Sequence, residues 1–271
     1  MTTSTRWQLA HNAAVLYQDF LVPSILGPAA LRLVEEMDIH AGNTVVDVGC
    51  GTGAASRAAA PKATAAGRVI ALDVNEGMLE VARSLRPPNG APVEWLCAGA
   101  HQLPLDSAIA DVVLCAQTLQ FVQDRYAALR EMRRILKPGG RAGISLWCSI
   151  GENPYFQALV DAMARHVGAD TAAGLGAAFS FHDERDIRAV CTAAGFTRIG
   201  STLSRFELLL PPPEEFVPHH VAATPMHVGF AAAETADRQN VVKEVAASLA
   251  AWRIDGGMRI PFSMQLVTAS A

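Results

Sequence analysis

Val45-Val46-Asp47-Val48-Gly49-Cys50-Gly51-Thr52-Gly53 is the stretch on which the fold turns. An apolar, β-branched run meets an acid and then three glycines at alternate positions, the pattern of a strand that ends in a tight turn before a helix. Glycine lets such a turn tighten and lets backbone N–H groups approach a ligand with no Cβ in the way. Read as G-x-G-x-x-A, Gly49, Gly51 and Ala54 also satisfy a dinucleotide fingerprint, so this segment alone leaves the cofactor open.

Outward from the turn, residues 44–147 alternate short β-branched runs with helical stretches, which predicts parallel strands joined by crossover helices. The expected strands are Thr44–Val48, Arg68–Asp73, Val93–Cys97, Asp111–Ala116 and Arg141–Trp147. Leu129, Met132 and Leu136 fall at helical spacing after Asp124, an N-cap candidate, and Pro138-Gly139-Gly140 is expected to stop that helix. Upstream, Leu31, Val34 and Met37 place a helix over Ile25–Ile39. Downstream, Asn153–Val167 and Asp183–Ala194 read as helices, the second ending at Gly195, while Thr197–Leu210 and Met258–Thr268 read as strands. Between those last strands, Glu214–Trp252 is mostly helical, with Val241–Leu249 as its clearest helix, and is a candidate lid. The expected fold is thus α/β: a Rossmann-like, doubly wound, mostly parallel seven-stranded sheet with an N-terminal helical segment and a helical lid before the last strand. One domain should cover residues 1–271, with N-terminal helices in 1–40, a cofactor-binding core in 41–150, and acceptor-side insertions in 151–182 and 211–257.

Composition removes several classes. Over 271 residues, 22 Lys plus Arg against 26 Asp plus Glu leave a net charge of −4, without the basic footprint of a nucleic-acid binder. With 51% hydrophobic and 18% charged residues, the chain is far from the signature of disorder. The longest interior stretch without charged residues, Phe216–Ala233, is broken by Pro218, Pro225 and three histidines, so no membrane span is expected. Trp7–His11 is polar and amphipathic, unlike a secretory leader, and a cytoplasmic location is expected. The five cysteines are far apart, with none of the close pairs a zinc site uses, so no metal is expected. The oligomeric state is not legible.

Two acids narrow the ligand. Asp73 closes the second strand, 24 residues after Gly49, where a carboxylate can accept both hydroxyls of an adenosine ribose. Asp47, inside the strand end, would repel a pyrophosphate and favour a cation. S-adenosyl-L-methionine combines adenosine with a sulfonium and an amino group, and it has no phosphate.

With these residues in place the sequence resembles the class I S-adenosylmethionine-dependent methyltransferases, in particular the small-molecule group that includes the ubiquinone and menaquinone C-methyltransferases. Leu31–Trp147 is the part that resembles them, through four segments: Asp47–Gly53; Leu72-Asp73-Val74-Asn75 with Met78; Leu103-Pro104-Leu105-Asp106; and Leu136-Lys137-Pro138-Gly139-Gly140. The resemblance implies that Gly49, Cys50 and Gly51 pass under the methionine part of the cofactor, that Asp47 lies near its amino group, and that Asp73 holds the ribose. It implies too that Val74 and Met78 line the adenine, with Ala100 and His101 at its edge, although Gly99 stands where relatives often carry an Asp. Gln117 would face the methionine end, and Tyr17 with Phe20 would fold an N-terminal helix over the cofactor.

The same resemblance implies an enzyme that transfers a methyl group to a small-molecule acceptor. Because alignment supplies most of the acceleration in such a displacement, a base is needed only if the nucleophile must lose a proton, and the sequence marks no catalytic residue clearly. His182, His219 and His220 are the candidates, with His166 and His227 near the same segment. Trp147, Phe156, Phe179, Phe181, Phe216, Met226 and Phe230 suggest a mainly apolar acceptor, methylated on O, C or N in specialised metabolism or quinone chemistry. The alternative is a methyltransferase fold repurposed for another reaction, such as a cyclisation, or for ligand binding only. A nicotinamide oxidoreductase is the weaker enzyme rival, because it leaves Asp47 and the 137–140 turn without a role.

Overall fold

A computed structural model describes residues 11–271. The expectations for Trp7–Ala10, and for the N-terminal helices before residue 11, lie outside the described residues. The sheet has the strand order β3-β2-β1-β4-β5-β8-β6, with β1 Thr44–Val48, β2 Arg68–Asp73, β3 Val93–Cys97, β4 Ala110–Ala116, β5 Leu136–Trp147, β6 Thr197–Leu210 and β8 Gly257–Ser270. The first five strands run parallel, whereas β8 is antiparallel to both neighbours. A two-residue strand, β7 (Arg253–Ile254), adds a short hairpin to β8.

Alternation along β1 decides the layers. Val45 joins a core shared with helices α2 (Gly27–Glu36), α3 (Ala54–Ala63) and α6 (Pro154–His166), while Val46 and Val48 join the opposite core with α5 (Arg125–Ile135) and α8 (Glu184–Ala193). The remaining helices are α1 (His11–Leu16), α4 (Glu76–Ser84), α7 (Ala169–Gly176), α9 (Pro213–Ala222), α10 (His227–Ala232) and α11 (Thr235–Ser248). Asp124 caps α5 by accepting from Ala127 N at 2.8 Å, as its spacing predicts. That helix ends at Ile135, three residues before Pro138, because Leu136 already pairs with Ala110 at the start of β5. Asp111 accepts from Thr44 N and Lys137 Nζ, both at 2.8 Å, and ties three strands together.

Two departures from the sequence reading matter for the site. The expected helix over Ile25–Ile39 is the last part of a continuous helical segment that begins at His11, whose middle, Tyr17–Leu26, is π-helical. Pro23 removes a donor from the ordinary ladder there, and Gly27 N bonds Val22 O five residues back. Over Asn12–Glu36 this segment is long and apolar enough, by length and composition alone, to cross a membrane, although Asp19, Arg32, Glu35 and Glu36 interrupt it. The second departure concerns Glu214–Trp252. Phe216, Val217, Val221, Met226, Val241, Val245 and Leu249 are all buried in the same core as the sheet and α6, so the segment is built into the domain.

Candidate active site

The order of the sheet reverses between β1 and β4, and at such a switch point the carboxyl ends of the strands leave a crevice. Here the crevice deepens into a cavity of about 1030 Å³. Its floor is the β1–α3 turn. Gly49 N and Cys50 N donate to Leu72 O at 2.7 and 2.9 Å, and Gly51 N donates to Asp73 Oδ2 at 2.8 Å. The other oxygen of Asp73 accepts from Asn75 N at 2.8 Å, so one carboxylate fixes both the glycine turn and the start of α4. Partial burial raises the Asp73 carboxyl above its ordinary range, against the pull of those backbone donors.

The three glycines of the turn have positive φ, but they differ in what surrounds them. A Cβ at Gly49 would lie 2.1 Å from Thr118 Cγ2, and one at Gly53 would lie 2.3 Å from the Trp95 ring. At Gly51 the nearest atoms would be Tyr17 Oη at 3.7 Å and Met78 Cε at 3.9 Å. Gly49 and Gly53 are therefore demanded by packing, whereas Gly51 faces the open cavity.

Asp47 lies at the bottom, fully buried. Its Oδ2 accepts from Ser56 Oγ at 2.6 Å, while Oδ1 has no partner among the described residues. Burial pushes the carboxyl up to about 6 despite the opposing pull of Ser56. The Tyr17 phenol, partly buried above Gly51, is raised by desolvation first and by Asp73 next.

All eleven residues that the sequence assigned to a cofactor line this one cavity: Tyr17, Asp47, Gly49, Cys50, Gly51, Asp73, Val74, Met78, Ala100, His101 and Gln117. Val74 is 61% exposed at the rim. Gly99 also has a reason: a Cβ there would sit 2.8 Å from Cε1 of His101, so a side chain at 99 would displace the imidazole. Gln117 differs from the expectation in its contacts. Its Oε1 accepts from Trp147 N at 3.1 Å and from Gln120 Nε2 at 3.2 Å, and its Nε2 is 3.9 Å from Met264 Sδ, so the amide braces β4 against β5 with its backbone held at φ +49°.

Of the catalytic candidates, only His220 reaches the cavity. His219 stacks on Phe20 with ring centroids 3.8 Å apart, and its Nδ1 meets Glu215 O. His182 Nδ1 meets Phe179 O, and His166 Nε2 pairs with Glu244 at 2.7 Å. Among the seven apolar residues expected around an acceptor, Trp147 and Phe156 reach the lining. Phe179 packs behind Phe156, Phe216 and Met226 are core, and Phe181 belongs to the core on the opposite face of the sheet beneath Arg125. The sequence reading missed Leu21, Ile25, Leu26 and Ala30 from the N-terminal helical segment, together with Gln120 and Thr224. The apolar periodicity of Leu21 and Ile25 was the available signal.

A methyltransferase domain family, Methyltransf_11, matches residues 46–144, the span that carries most of this floor. The ubiquinone/menaquinone biosynthesis C-methyltransferase UbiE of Ectopseudomonas mendocina is 30% identical over 210 residues, covering 71% of this chain and 81% of that protein. The chain belongs to the class I S-adenosylmethionine-dependent methyltransferases. Membership of that family makes S-adenosylmethionine its cofactor. Other relatives match over a shorter span: UbiE of Burkholderia vietnamiensis is 35% identical over 119 residues, and the match spans 44% of this chain and 49%, about half, of that relative. In fold, the methyltransferase resembles phosphoethanolamine N-methyltransferase 2 of Haemonchus contortus, solved with S-adenosylhomocysteine, at a TM-score of 0.61, 16% identity, and coverage of 98% of this chain and 58% of that one.

Proposed function

We propose that this methyltransferase transfers the methyl group to a mainly apolar, uncharged or weakly polar small molecule held in the half of the cavity away from the glycine turn. One observation carries the proposal: that half is lined by Leu21, Ile25, Leu26, Phe121, Trp147 and Phe156, and the described lining contains Asp47, Asp73 and Asp124 but no Lys or Arg. A phosphorylated or polyanionic acceptor would find no cation to pair with, an arrangement that costs binding several-fold or more.

The cofactor half fits its ligand on three counts. The unpartnered Oδ1 of Asp47 suits the amino group, the space over Gly51 suits the methionine chain, and the exposed Val74 with Met78 suits the adenine. Asp73 retains lone pairs for the ribose hydroxyls, since each oxygen accepts one backbone bond. His101, given room by Gly99, would stand at the adenine edge. When bound, the cofactor supplies an activated methyl group on a sulfonium. The chain's own part is to orient the two ligands and to exclude water: the Tyr17–Leu26 turn of the N-terminal segment, α7 through Leu175 and α9 through His220 close over the cavity as a roof. In this reading 1–40, 151–182 and 211–257 form the acceptor side and 41–150 the cofactor side of one domain. The UbiE relatives and the aromatic lining together favour aromatic carbon or oxygen as the methylated atom.

The test is to incubate the protein with S-adenosylmethionine labelled in its methyl group and a panel of apolar phenols, quinols and amines alongside phosphorylated amines and RNA. Label should enter one or more apolar acceptors with matching S-adenosylhomocysteine release. Transfer confined to the phosphorylated or nucleic-acid members would reject the proposal.

A further inference from the structure

At the edge of the proposed acceptor half, an uncharged polar pair joins a cavity-lining residue to one buried behind it. Tyr155 of α6 and His220 of α9 are both buried, and Tyr155 Oη lies 2.9 Å from His220 Nδ1. Phe156 and Phe216 pack edge-on around the imidazole, with centroids 5.8 Å from it, so its packed neighbours are Tyr155 and two hydrocarbon rings. His220 lines the cavity, and its Nε2 makes no hydrogen bond with the described residues.

The direction of that one bond determines what Nε2 can do. The Tyr155 hydroxyl is buried, and Nδ1 is its only partner among the described residues. If Nδ1 carried the proton and donated to the phenol oxygen, the phenol proton would be buried without an acceptor, a loss of roughly tenfold or more in population. The phenol therefore donates to Nδ1, and in a neutral imidazole the proton must then sit on Nε2. Burial holds His220 neutral, its pKa lowered to about 3. A nitrogen that already bears a proton cannot remove one from an acceptor.

We propose, building on the reading of this cavity as the methyl-transfer site, that His220 is a hydrogen-bond donor set by Tyr155, and that the acceptor molecule presents an oxygen lone pair, as in a ketone, quinone or phenol, to Nε2–H. His220 then contributes orientation and selectivity among apolar molecules, and Tyr155 is a positioning residue acting through it. The acceptor atom reaches the methyl group either without a proton to lose or already ionised, since no base stands at this position.

The full chain, labelled with ¹⁵N-histidine and saturated with S-adenosylhomocysteine, tests this directly. A two-bond ¹H–¹⁵N correlation at pH 7 should show His220 neutral, with Nε2 protonated and Nδ1 bare; in Tyr155→Phe the two tautomers should become mixed. Acetophenone should shift the Nε2 signal where ethylbenzene does not, and in His220→Leu the ratio of ketone to hydrocarbon affinity should fall by about 2–10-fold. A wild-type spectrum with the proton on Nδ1, or with a charged ring, overturns the inference, as does an unchanged affinity ratio. The wild-type spectrum needs no variant to fold. Failure of S-adenosylhomocysteine to bind would count against the cofactor half, while the tautomer of the free protein would still decide the inference.

Discussion

The glycine turn separates ligand binding from folding, and a pair of substitutions can read the two apart. All three glycines have positive φ, so any side chain meets a left-handed backbone penalty of about 1–2 kcal/mol. At Gly51 that is nearly the whole cost, because the nearest atoms to a Cβ, Tyr17 Oη at 3.7 Å and Met78 Cε and Tyr17 Cε1 at 3.9 Å, lie at ordinary van der Waals distance. At Gly49 the Cβ would overlap three atoms of Thr118 between 2.1 and 2.8 Å, adding roughly 1–3 kcal/mol of overpacking. At about 2–4 °C per kcal/mol for a domain of this size, Gly51→Ala should lower Tm by roughly 2–8 °C and Gly49→Ala by roughly 4–20 °C. Ligand affinity should follow the reverse order. Gly51→Val places two further methyl groups in the space above the turn and should weaken S-adenosylhomocysteine at least 100-fold, about 2.7 kcal/mol, in a protein that still melts cooperatively. Differential scanning calorimetry and isothermal titration on the same preparations give both numbers. Normal affinity in a folded Gly51→Val protein would refute the assignment of this turn as the cofactor cradle.

Asp73→Ala removes the partner of two backbone donors, Gly51 N and Asn75 N, as well as the proposed ribose ligand; S-adenosylmethionine affinity should fall roughly 10–100-fold with a parallel drop in Tm, and titration showing unchanged affinity would reject the role. Asp47 gives a pH signature. Its carboxyl rises from 3.8 to about 6 in the folded protein, so its protonated form stabilises the fold below about pH 4 and that contribution is lost as pH rises through 6. Asp47→Asn should therefore stabilise the ligand-free protein above pH 6 by up to roughly 3 kcal/mol, with no gain below pH 4, while in the wild type S-adenosylmethionine should bind more tightly at pH 7 than at pH 5; flat profiles in both measurements would remove Asp47 from the cationic end of the site. Replacing residues 214–252 by a short Gly/Ser turn would extract seven buried apolar side chains larger than alanine, at about 1.5–3 kcal/mol each more than a domain's usual margin, so the shortened chain should lose its cooperative melt. A sharp transition at the wild-type temperature would show that the segment is a detachable lid.

Sheet and cofactor floor were legible because they depend on short-range rules. A strand that runs into glycines at positive φ, an acid at the end of β2 and an Asp capping α5 each leave a local pattern, and all eleven proposed cofactor residues converge on one cavity. What the sequence hid depends on tertiary contact. Leu136 reads as a helical position by its spacing from Leu129 and Met132, but pairing with Ala110 draws it into β5. Phe181 looks like an acceptor-side aromatic until the chain crosses to the other face of the sheet, where Arg125 covers its ring. The histidines were equivalent in sequence because nothing local distinguishes His219 from His220. One helical step, about 100° around the axis of α9, sends the first onto Phe20 and the second to Tyr155 and the cavity.

The proposed acceptor half differs in kind from the proposed cofactor half, and the difference has an evolutionary consequence. Gly51, Val74 and His101 line the cavity without holding up the core, so the proposed cofactor side can be altered with modest effect on folding. Phe156 does both jobs: it lines the cavity and meets Trp147, Phe179 and Phe262 at centroid distances of 5.0–5.5 Å. Opening the cavity there with Phe156→Ala would remove about 3–5 kcal/mol of stability, a large part of what a domain has. Changes of acceptor are therefore expected to arise first at positions that border the cavity from less central packing, such as Leu26, Phe121 and Val122, whose side chains are only partly buried, and to reach Phe156 only after compensating substitutions elsewhere in the core.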